Sequence, residues 1–255
     1  MKANKNKNNH NNTNNDTNKI SISTPLAISI IIYTISVLII DLLATFNIHF
    51  IFNWGIFNID LSYILNKIPA FRNSLFSFLF IDFDLRKFFL WLIIPIIIFN
   101  KAVDFYWFSF KSWKKNDYFI LLGVSILCVA SLVFVILSPT LSSYYLGFKT
   151  LPFNQKVIIF FQQIFWIISW LLGWEFLNRH LLLRACLRLN KKYAWIFVPI
   201  VETVYHIHKA FLEMIGMSMF SIFACLWTIR KENNLLAFLC HLLIELGLVI
   251  LLLNK

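Results

Sequence analysis

Along most of this chain the apolar positions do not alternate with polar ones; they run on for the length of a helix. The first run, "PLAISIIIYTISVLIIDLLATF", covers residues 25–46. Others lie at about 88–108, 118–138, 157–188, 194–208, 211–229 and 233–253. Crossing the hydrocarbon core of a bilayer takes roughly 20 residues of helix. In lipid only helices and closed barrels satisfy the backbone, and barrel strands would alternate apolar with polar. The pattern therefore predicts an all-α, polytopic transmembrane helical bundle of about seven spans. The region 48–86 is aromatic and mixed, with Lys67, Pro69 and Arg72. It fits an interfacial helix, a re-entrant segment or a further span. No internal repeat is evident.

Composition agrees. Of 255 residues, 59% are hydrophobic and 14% charged, against about 25% charged in a soluble domain. Residues 1–24 form an Asn/Lys-rich tail too polar to offset its ordering entropy, so disorder is expected there. The following apolar run is too long for a signal-peptide core and is read as a retained first span. Residues 25–156 are then amino-terminal transmembrane helices and loops, and 157–253 a core that carries the chemistry.

The formal net charge is +11, but the basic residues sit at the ends of apolar runs, which points to membrane lipids and away from nucleic acid. Seven spans with a cytoplasmic amino terminus put more than half of the 23 Lys and Arg on the inner side. These are Lys2, Lys5, Lys7 and Lys19, then Lys101, Lys111, Lys114 and Lys115, then Arg184, Arg188, Lys191 and Lys192, and last Arg230 and Lys231. Cys128, Cys186, Cys225 and Cys240 form no CxxC pair and are read as isolated, reduced packing residues.

Charge inside an apolar run is costly, about 2.5–3.5 kcal/mol per residue at mid-helix by insertion scales. Three groups bear that cost. In "WEFLNRHLLLR", Glu175 and Arg179 stand four apart on one helix face. In "PIVETVYHIHKAFLEM", a continuous helix would bring Glu202, His206, Lys209 and Glu213 to one face and turn His208 elsewhere, behind a kink at Pro199. In "CHLLIEL", His241 and Glu245 again stand four apart. A structural ion pair or a satisfied core histidine accounts for any one of these. Three together are cheapest if turned inward on a shared, partly hydrated pocket, where carboxylates and imidazoles activate water. No HExxH or G-x-S-x-G motif is present.

These residues resemble the CAAX prenyl protease type II and bacteriocin-processing proteins, also called the Abi family. Their pattern is Glu-Glu-x-x-x-Arg, then Phe-x-x-x-His, then His-x-x-x-Asn or Asp. "WEFLNRHLLL" is similar to the first motif, with Glu175 and Arg179 in the places of the second Glu and the Arg. "HIHKAFLE" is similar to a variant of the second, through His206, Lys209 and Glu213, and "IRKENNLLAFLCHLLIE" to the third, through His241. The resemblance covers roughly 157–250. There are departures: Trp174 replaces the first Glu, Glu202 the Phe, Ala210 a Pro, and Glu245 the Asn or Asp.

The resemblance implies an intramembrane endopeptidase cutting a membrane-associated peptide or prenylated protein with a Glu-activated water. On that expectation Glu175 is the base and Arg179 its orienter. His206 and His241 position the water and steady the oxyanion, Glu245 orients His241, and Glu202, Lys209 and Glu213 are additional members. The family is described both with a divalent metal such as zinc, for which His206 and His241 would be the ligands, and without one. The competing readings are a non-catalytic relative acting as adaptor or immunity protein, and a proton-coupled carrier.

Overall fold

The computed structural model describes residues 22–46, 66–70, 79–80, 82–139 and 151–254. Residues 1–21 of the Asn/Lys-rich tail lie outside them, as does most of the region 48–86. The described chain is helical, with no strand among the described residues. It is an integral, multi-pass membrane protein: five helices are long and apolar enough to cross a bilayer, and two shorter ones complete the seven expected segments.

The first, α1 (Thr24–Thr45), is started by Ser23, whose hydroxyl accepts from the Leu26 amide, and by Pro25 in its first turn. α2 (85–98) starts at Asp84, whose carboxylate accepts from the Lys87 amide; it widens into a π-helical stretch at Phe88–Ile93 and ends with Ile94–Ile98. α3 (Lys115–Leu137) is capped by Asp117 accepting from the Lys114 amide. α4 (Phe153–Leu189) is the longest and carries a second π-helical stretch, Phe176–Leu182. α5 (Ala194–Tyr205) and α6 (Phe211–Lys231) form an antiparallel hairpin, and α7 (Leu235–Asn254) closes the bundle. Before α7 the chain reverses at Glu232, which adopts a left-handed conformation (φ 51°).

Two segments depart from the expected pattern. The run at 88–108 does not continue as one helix: it stops at Ile98, and 100–112 form a collar of three 3-10 turns. Buried partners on α4 draw this collar off the helix axis: Arg184 donates to the Ala102 carbonyl (2.6 Å), and the Asp104 amide donates to His180 Nε2 (2.9 Å). The stretch 199–214, read above as one continuous helix, breaks as well. A 3-10 turn at His206–His208 separates α5 from α6, so the single face expected to hold Glu202, His206, Lys209 and Glu213 does not exist.

The core follows α4. Trp91 of α2 packs on Trp174 of α4, and Tyr205 of α5 packs on both rings. The approach is close because Gly173 has no side chain: a Cβ there would lie 2.7 Å from Trp91 Cβ. α1 lies along the carboxy-terminal part of α4, and α7 packs on α3 and on the earlier part of α4.

Candidate functional site

The π-helical stretch of α4 turns all of Phe176–Leu182 into the protein, Arg179 and His180 included. A π-helical stretch breaks the regular i→i−4 ladder and shifts side-chain register, and such stretches recur at functional sites. Its first consequence is an ion cluster without solvent contact. Arg179 Nη1 donates to Glu175 Oε2 at 2.8 Å, and Nη2 to Glu202 Oε2 on α5 at 3.0 Å. His241 of α7 places Nδ1 2.7 Å from Glu175 Oε1. Glu175, Arg179 and Glu202 are each 0% exposed and His241 3%.

Four side chains from three helices thus share one network, with both oxygens of Glu175 bonded. With two carboxylates and one guanidinium, the cluster is neutral when it holds one further proton, on the imidazole or on a carboxylate. The carboxylate of Glu202 and the Ser221 hydroxyl are both buried and lie side by side, where the hydroxyl can donate to the carboxylate. Trp170 and Phe220 flank His241 edge-on, and Arg179 lies over the Phe220 ring at 5.5 Å.

The remaining expected residues lie further out. His206 donates its Nδ1 proton to the Glu202 carbonyl (2.7 Å), since a carbonyl only accepts. That tautomer leaves Nε2 with its lone pair. The ring stands edge-on to Trp174. Glu245 sits 3.8 Å from His241 Nε2 and is partly exposed. Lys209 and Glu213 pair loosely with each other at 3.9 Å and do not join the buried cluster. His208 does not point elsewhere: the 3-10 turn stacks its ring nearly parallel to His206, at 6.4 Å and 15°.

Two polar clusters escaped the sequence. One is His180 and Arg184 with Asp104, described above, where Arg184 Nη1 also meets His180 Nε2 (3.1 Å) and lies over the Trp107 ring. The spacing of His180 and Arg184 repeats that of Glu175 and Arg179, which was a usable signal. The other joins Asp41 of α1 to Arg86, Lys87 and the Tyr205 hydroxyl. A single Asp in the first span was its only trace in the sequence. The four cysteines are buried with free thiols, as expected of packing residues: Cys128 and Cys240 lie in one apolar cluster between α3 and α7, and Cys186 and Cys225 in another.

Were a metal bound, His206 and His241 would meet it through Nε2, the ring nitrogens not engaged by Glu202 and Glu175; among the described residues no group of three His, Cys, Asp or Glu side chains gathers as ligands. No protein-family model matches the chain, and no curated protein and no solved structure matches it.

Proposed function

We propose that the protein is an intramembrane endopeptidase, hydrolysing a peptide bond of a membrane-associated or prenylated peptide, as the resemblance to the CAAX protease and bacteriocin-processing family implies. The observation that carries this reading is the buried Glu175–His241 bond. A carboxylate that holds an imidazole through Nδ1 fixes its tautomer and stabilises the imidazolium, leaving Nε2 to take a proton. Glu175 has both oxygens engaged, so water activation falls to the Glu175–His241 pair acting together. Water gives a proton to His241 Nε2, hydroxide attacks the peptide carbonyl, and the same proton then passes to the leaving amine. Arg179 holds the carboxylate in place and Glu202 balances Arg179. Glu245, on the Nε2 side of His241, steadies the imidazolium. His206, adjacent but outside the bonded network, positions the water through its Nε2 lone pair. Lys209 and Glu213, partly exposed beside it, contact the entering peptide. This mechanism uses protein side chains alone. The end of the bundle that carries the basic collar faces the cytoplasm, by the positive-inside rule.

Purified protein, Glu175→Gln and His206→Ala test the proposal in a peptide-cleavage assay. Loss of turnover in both variants is expected, and equal activity in all three overturns the assignment. One observation favours a second reading, a non-catalytic adaptor or immunity protein: the cluster is closed, with Glu175, Arg179 and Glu202 fully buried. On that reading the same substitutions lower thermal stability and no turnover is found in any form.

A further inference from the structure

One end of the bundle gathers the collar 100–112, the amino termini of α3, α5 and α7, and the carboxy termini of α4 and α6. The collar is pinned from within. Besides the bonds to Ala102 and Asp104, the Trp107 carbonyl accepts from the Asn234 amide (2.7 Å) and the Ser109 carbonyl from Asn233 Nδ2 (2.7 Å). Trp113 Nε1 donates to Asn233 Oδ1 (3.2 Å). The collar is thereby held inward at intervals, and what is exposed, Asn100 apart, is apolar or cationic. Phe105 is 64% exposed, Tyr106 50% and Phe110 52%. Lys101, Lys111 and Lys114 are exposed beside them, with Arg188, Lys191 and Lys192 on the adjoining α4–α5 turn. Three acids lie at this end: Asp117 is buried against Lys231 (2.6 Å), Asp104 caps its own turn, and Glu232 is exposed between α6 and α7, so the exposed lysines and arginines outnumber them.

Half-exposed aromatic rings interleaved with lysines match the headgroup level of a bilayer. Each Lys or Arg near an anionic leaflet adds to the attraction for it. A flexible loop would lose ordering entropy on meeting lipid; this one is held in place by buried His180, Arg184 and Asn233. We infer that the collar 100–112 and the α4–α5 turn form a preordered binding surface for anionic phospholipid, with Phe105, Tyr106 and Phe110 against the acyl chains and Lys101, Lys111 and Lys114 on the headgroups.

The surface is independent of the proposed peptidase chemistry, and a thermal-shift measurement on the full chain in neutral detergent tests it. Phosphatidylglycerol is expected to raise Tm by several degrees more than phosphatidylcholine. The excess should halve or better in K101Q/K111Q/K114Q, fall with added salt, and survive in K156Q, at the far end of α4. Phe105→Ser/Phe110→Ser, which keeps the charge, should weaken the response to both lipids. Equal shifts for the two lipids, or an undiminished excess in the triple variant, would overturn the inference. So would an equal shift with soluble glycerol phosphate or a short single-stranded oligonucleotide, which would show a surface that reads charge without lipid.

Discussion

His241 Nδ1 lies 2.7 Å from Glu175 Oε1, although 66 residues separate the two in the chain. The same carboxylate receives Arg179, which reaches on to Glu202. A buried arginine between two carboxylates is costly to disturb, because removing one partner strands the others without water; breaking such a pair costs about 3–5 kcal/mol.

Arg179→Met should therefore lower thermal stability sharply, by about 3–5 kcal/mol. The combination with Glu202→Gln, which removes a charge that Arg179 had balanced, should recover part of that loss. Thermal unfolding of the two variants in one detergent checks the order. An additive double variant would mean that the two residues are not coupled.

Gly173→Ala brings a Cβ to 2.7 Å from Trp91 Cβ and 3.1 Å from the Trp91 backbone carbon. Neither atom is the tip of a flexible side chain, so α2 and α4 must move apart. Overpacking of this kind costs about 1–3 kcal/mol. Gly123→Ala, with open space around it, is the matched control and, gaining helix propensity, should not lower Tm.

Much of this was legible in the sequence, for separable reasons. The spans could be read because continuous apolar runs of helix length have one interpretation in lipid. Glu175, Arg179, Glu202 and His241 could be read because charge in such runs is rare. What could not be read was helix geometry. The π-helical stretch that turns His180 and Arg179 inward together, and the 3-10 turn that stacks His208 on His206, both change side-chain direction without a sequence marker. A uniform turn of 100° per residue therefore misplaced His208, Lys209 and Glu213. The collar was read as helix because Phe105–Phe108 is apolar. What ends α2 is a tertiary effect, capture by Arg184 and His180, that lies beyond any local pattern.

That capture has its own test. Arg184→Met removes the 2.6 Å bond to the Ala102 carbonyl and the cation over Trp107. Amide exchange at 102–113 should rise severalfold, while α7 below His241 keeps its protection. Unchanged exchange in the collar would mean that Arg184 does not hold it.

Cys128 and Cys240 meet across α3 and α7. Mild oxidation with copper phenanthroline should link them, two thiols losing two electrons and two protons to the oxidant, and the product should yield a peptide joining the two helices after proteolysis. Cys128→Ser should abolish the link. Its absence in the parent protein would contradict the packing of α3 on α7.

The most direct test of the central claim, that the Glu175–His241 pair activates water, is the cleavage rate of His241→Gln. It should be measured in liposomes beside the parent protein, with folded fractions matched by thermal unfolding. General-base catalysis contributes about 10²–10⁴-fold, so a fall of at least about 100-fold is expected at equal folded fraction. A folded His241→Gln that cleaves as fast as the parent, or a parent that cleaves no membrane peptide at all, would contradict it.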